Sequence, residues 1–221
     1  MWTPLGRFVA FGLAVTSIVC LFGEFFSAGS MRAWVCQLLL PASLLLAAIG
    51  YYDWRRNNGA FARMILLGVL TGLVAAVAYD VFRVPFVWSE SWKLSRFVPP
   101  LKLFNVFPRF GAVIVGQPVD QDSYGFSAYA VGWAYHFSNG ASFGVMYVAM
   151  VGYPLRHHWA WGVMMAAGIE IAMLLSPYPT VFGLNVTPVF VIVTLTAHAI
   201  FGVTLGLLCR RWSPISGLVA V

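Results

Sequence analysis

Charge is what this chain has least of. Its 221 residues include 13 Lys and Arg, 7 Asp and Glu and 4 His, so 9% are charged, where a soluble domain carries roughly a quarter. That scarcity excludes an ordinary water-soluble domain. The formal net charge of +6 is scattered over loops and helix ends and forms no dense basic tract. Nothing here resembles a nucleic-acid-binding element, and the charge fits anchoring at a membrane surface. Cysteine is also scarce. Cys20, Cys36 and Cys209 lie in or beside apolar segments without a CxxC, which argues against a thiol-redox motif or zinc knuckle and leaves them as small hydrophobes. No HExxH occurs either, so the commonest intramembrane and soluble zinc-protease signature is missing.

What is abundant is apolar length: 61% of the residues are hydrophobic and the mean hydropathy is +0.83. Apolar runs at about 8–26, 33–52, 61–85, 127–150, 158–176 and 187–209 each approach the ~20 residues that a spanning helix needs. The sequence therefore predicts an all-α, polytopic membrane bundle of about six transmembrane helices in one domain, with the lipid bilayer as its partner. Trp34, Tyr51, Tyr52, Trp54, Trp88, Trp92 and Trp159 gather near the ends of these runs, as an aromatic belt does. Arg7 precedes a first run longer than the ~7–15 residues of a signal-peptide core, so an uncleaved first helix is expected.

Basic residues are almost evenly divided between the two faces. The Arg55–Arg56 and Arg210–Arg211 pairs, set against an uncharged 177–186 turn, favour both termini in the cytoplasm of a bacterial-type inner membrane. The one long connection, 86–126, alternates bulky apolar and basic residues and is broken by Pro99, Pro100 and Pro108. It reads as an interfacial loop, or as a lid between spans three and four.

A repeated formula runs through the last four spans. Span three carries Gly72-x-x-x-Ala76-x-x-x-Asp80 and span five Gly162-x-x-x-Ala166-x-x-x-Glu170; span four carries His136-x-x-x-Gly140-x-x-x-Gly144 and span six His198-x-x-x-Gly202-x-x-x-Gly206. Spacing of four keeps each trio on one side of its helix, and small residues let membrane helices approach closely. Because the spans alternate in direction, all four ionisable residues fall at the end of the bundle bearing the 86–126 connection. Duplication of one hairpin would produce this formula; so would the general abundance of Gly and Ala in membrane helices.

Ionisable groups inside a bilayer cost roughly 2.5–3.5 kcal/mol each on insertion scales and mark functional sites. Asp80, His136, Glu170 and His198 are therefore the candidate ligand-binding residues, with Asn139 beside them. Two carboxylates and two imidazoles also make a candidate metal shell for one Zn²⁺, Mn²⁺ or Fe²⁺. A bis-His haem through His136 and His198 is the weaker cofactor alternative. Against a shared site stands Arg83, three residues after Asp80 and able to neutralise it. Glu170 has no Lys or Arg in its own span and needs a partner from another helix.

Three functional classes follow. The first is binding or transport of a cation, a metal or a proton-coupled small ligand by a buried acid–His cluster. The second is an intramembrane metalloenzyme acting on a lipid-like substrate. The third is a subunit or assembly factor that docks on other membrane subunits through its small-residue helix faces.

Overall fold

Capping residues set where the helices begin. The Thr3 hydroxyl accepts a hydrogen bond from Gly6 N at 3.1 Å, and Pro4 occupies the first helical position, where no N–H is needed. The computed structural model describes residues 2–214. Helix α1 (Pro4–Ala14) and helix α2 (Thr16–Phe25) form a nearly continuous rod broken at Val15. The short α3 (Met31–Trp34) leads through a wide π-turn, Val35–Leu39, into α4 (Leu40–Arg56). Pro41 follows this turn. Having no N–H, it cannot continue the ordinary helical ladder, and the wider turn lies where that ladder would break.

Asp53, at the end of α4, accepts from Phe61 N at 2.8 Å and Ala62 N at 3.3 Å and so caps α5 (Ala60–Val87), while Gly59 takes the positive φ of the turn between them. Helix α6 (Val106–Val115) ends on Gly116 at φ 79°. Then come α7 (Phe126–Val151), α8 (Ala160–Leu174), the single turn α9 (Tyr178–Val181) and α10 (Pro188–Trp212). Thr187 caps α10 by accepting from Phe190 N at 3.1 Å, again with proline in the first position.

Polarity is distributed for a lipid surround. Large apolar side chains such as Leu44, Phe126 and Leu175 point outward, whereas Thr71, Asp80, Arg83, Asn139, Glu170 and Thr194 are buried. Among the described residues no strand occurs, and four helices are long and apolar enough to cross a membrane: Pro4–Phe25, Met31–Arg56, Ala60–Val87 and Pro188–Trp212. The other two expected spans exist as helices and differ from these. Helix α7 has the length, at 26 residues, but its Ser, His and Asn content makes it less apolar. Helix α8 has 15 residues, about 22 Å of rise against a hydrocarbon core of about 30 Å.

Close helix contact organises the last four long helices. A Cβ added to Gly72 would run into the Gly140 carbonyl, and one added to Gly68 would lie 2.8 Å from the Gly144 carbonyl oxygen, so α5 and α7 meet backbone to backbone. The second pair repeats this: Gly162 of α8 abuts the Gly202 carbonyl of α10, and Gly206 abuts the Trp159 carbonyl. These are the small-residue stripes of the formula, spent on contact within each hairpin. Helix α10 also lies along α5, which joins the two hairpins.

The 86–126 connection contains a helix that the sequence reading does not place. Helix α6 packs along α7 through a third glycine pair, Gly111 and Gly132, whose backbones touch. Phe107 and Phe110 are buried by this contact, so the middle of the connection is part of the packed bundle, while its flanks hold exposed Trp88, Trp92 and Phe97.

Candidate functional site

Beyond the glycine contacts, the facing helices leave room for longer side chains. Asp80 is two turns past Gly72 on α5, and His136 is one turn before Gly140 on α7. They meet there, with Asp80 Oδ2 2.9 Å from His136 Nε2. The matching positions of the second hairpin also meet: Glu170 Oε2 of α8 lies 3.4 Å from His198 Nδ1 of α10. Two acid–His pairs thus arise from one geometric rule, a tight small-residue contact followed by a polar pair at the wider end.

Their surroundings differ. The Arg83 guanidinium donates to Asp80 Oδ1 at 3.0 Å and to the Tyr79 hydroxyl at 3.0 Å, and its central carbon sits 4.2 Å from the Tyr79 ring centre, 4.9 Å from Phe104 and 5.1 Å from Phe107. Asp80 therefore has a cation on one oxygen and an imidazole on the other. Three residues after Glu170 stands Met173, and among the described residues the polar partner of Glu170 is His198 alone. Even that contact is shared. His198 Nδ1 donates to the Thr194 carbonyl at 2.9 Å, leaving the carboxylate a longer electrostatic contact with that ring at 3.4 Å.

These contacts fix the imidazole tautomers. A backbone carbonyl only accepts, so His198 carries its hydrogen on Nδ1 and a lone pair on Nε2. His136 donates from Nε2 to the Arg83-paired carboxylate and carries its lone pair on Nδ1. Between them stands Tyr79, whose ring centre is 4.9 Å from that of His198 and 6.0 Å from that of His136.

One cavity joins the two pairs. His136, Asn139, Glu170, His198, Arg83 and Tyr79 line it, with Asp80 behind Arg83 and His136. The remaining wall is mostly apolar and aromatic, including Phe110 from α6 and Tyr178 from α9. Counted to its open side the cavity is about 730 Å³, room for one small molecule. Asn139 Oδ1 and Arg83 Nε are buried without hydrogen-bond partners among the described residues. Burial of Tyr178, in the connection after α8, pushes its phenol well above the ordinary value and keeps it neutral.

Spacing identifies four of these residues, Asp80, His136, Glu170 and His198, and Asn139 is named by its place beside His136. Tyr79, Thr194, Phe110 and Tyr178 are not singled out by it. For Tyr79 a signal was present, since Tyr79-Asp80-x-x-Arg83 places all three on one face of α5.

The metal shell expected from the same residues does not assemble. Among the described residues no group of three or more His, Cys, Asp or Glu could hold a metal ion; Tyr79 stands between two separate pairs. The haem alternative meets a related obstacle. The space beside the helix glycines, which a macrocycle would need, is filled by opposing backbone, and the His136 ring packs 4.3 Å from that of Phe107 with its Nε2 engaged by Asp80. No family model, curated protein or solved structure matches this chain.

Proposed function

We propose that this membrane protein binds a small molecule in the cavity between its acid–His pairs and exchanges it for a proton held by Glu170, a binding or transport role. One observation carries the reading: among the described residues Glu170 is buried with no Lys or Arg beside it, and its polar contact is an imidazole whose facing N–H is given to the Thr194 carbonyl. A carboxylate in an apolar surround has to share its charge with a proton or with a bound cation. Asp80 has the Arg83 cation for this purpose and serves as the fixed, neutralised pair. No open metal position is supplied by either pair, so a metal-dependent reaction forms no part of the proposal. In this reading both termini lie in the cytoplasm, which puts the acid–His end of the bundle and the 86–126 connection toward the opposite face.

A pH jump applied to the reconstituted protein on a solid-supported membrane tests this without knowledge of the ligand. Proton binding inside the bilayer displaces charge, so the wild type gives a transient current above that of empty liposomes and Glu170→Gln does not. Equal transients from wild type and Glu170→Gln would refute the proposal.

A further inference from the structure

Resting on the proton-exchange reading of Glu170, we infer that the cavity's ligand is a small organic ammonium ion bearing at least one N–H. The balance of charge on the walls disfavours inorganic ions of either sign. An anion needs an uncompensated positive charge, yet the Arg83 guanidinium is paired with the Asp80 carboxylate, and its Nε is shielded from open space. An inorganic cation such as Ca²⁺ asks for about 6–8 oxygen ligands and Mg²⁺ for a near-octahedral set. The described walls offer one carboxylate, Glu170, with the amide oxygen of Asn139, two phenols and two imidazoles spread among apolar groups, and no cluster of three ligating His, Cys, Asp or Glu. An organic ammonium ion asks for less: one counter-charge and aromatic faces within about 6 Å.

Those faces are present. Tyr79 and Phe107 are occupied by the Arg83 guanidinium, but Phe110, Phe143, Tyr178 and Phe201 also line the cavity. His198 favours an N–H-bearing cation over a quaternary one. Its Nδ1–H tautomer leaves an Nε2 lone pair that makes no hydrogen bond among the described residues, beside a carboxylate that is itself an acceptor. Charge balances across the exchange. With neutral imidazoles Arg83 cancels Asp80, and Glu170 is neutralised either by its proton or by the incoming cation. When the ammonium binds, the carboxyl proton leaves to solvent, and the cavity's total charge is unchanged.

The test uses the full-length protein in detergent and two probes of nearly equal size, protonated phenethylamine and neutral 2-phenylethanol. Calorimetric titration in buffers of different ionisation enthalpy gives affinity and proton count together. Phenethylamine is expected to bind at least about tenfold more tightly than the alcohol and to release a proton on binding, while the alcohol releases none. Glu170→Gln brings the amine down to the alcohol's affinity and abolishes proton release. Glu170→Asp, which keeps the charge, retains proton release with weaker binding and guards against misreading a misfolded Gln variant. Equal affinity for the two probes or no binding of the amine would overturn the ligand class, and amine binding without proton release would overturn the exchange on which it rests. Failure of the class and failure of the underlying reading are separable. A wild-type protein that gives the Glu170-dependent pH-jump transient yet ignores phenethylamine has lost the ligand class alone; one without the transient has lost both.

Discussion

Asp80 and Glu170 occupy matching places in two hairpins, and one residue separates their chemistry. Arg83 follows Asp80 at the spacing that brings side chains together on a helix; Met173 follows Glu170. The imidazoles record the same difference, with Nε2–H on His136 and Nδ1–H on His198. Nitrogen NMR of histidine-labelled protein, assigned through His136→Asn and His198→Asn, should show opposite neutral tautomers for the two residues. Identical tautomers would contradict the arrangement of donors. How much of this was readable differs by residue. The acid–His formula was legible because ionisable residues are few, and each stands out in an apolar run. The aromatic walls were not. With 18 Phe, 9 Tyr and 9 Trp in the chain, an aromatic residue carries no information about position until the helices are packed. The Asp80–Arg83 spacing suggests mutual neutralisation, and it leaves open that the second oxygen of Asp80 still serves His136.

At the scale of elements, small residues decide which helices touch. The stripes predict close approach, and the structure assigns them to contacts within each hairpin, α5 on α7 and α8 on α10. Gly72→Ala would push a methyl group into the Gly140 carbonyl, and a loss of about 1–3 kcal/mol is expected from forcing the backbones apart. Gly168→Ala meets nothing within 4 Å and should be neutral or stabilising by up to about 1 kcal/mol, since alanine is the better helix former. Thermal denaturation of the two variants in the same detergent compares them directly, and equal melting temperatures would show that the glycine contact carries no weight. Helix α6 escaped the sequence reading for a physical reason. Ten residues are too few for a membrane span, Pro108 lies in its first turn, and basic residues around it suggest a surface stretch. Its apolar run closed by Gly116 was the readable signal, and the Gly111–Gly132 contact that buries it links residues 21 apart, which no local pattern reveals.

For the whole molecule, polarity is distributed unlike that of a soluble protein: leucines and phenylalanines such as Leu44, Phe126 and Leu175 face outward as well as filling the core, and Asp80, Arg83, Asn139 and Glu170 are enclosed. Composition alone makes that legible. The convergence of two pairs on one cavity is different, because it depends on α10 lying along α5 and on α6 and α9 closing the wider end. Around this cavity the described residues place one neutralised charge pair, Asp80 with Arg83, and one carboxylate, Glu170, without a cation beside it. The central claim is that this carboxylate, Glu170, carries the exchangeable proton. Infrared difference spectroscopy on the purified, ligand-free protein during acidification measures it most directly, because a protonated carboxyl in an apolar surround gives a resolved C=O stretch. The account predicts a band that appears with acid in the wild type, shifts in Glu170→Asp and vanishes in Glu170→Gln. The same band in Glu170→Gln, or none in the wild type, would contradict it.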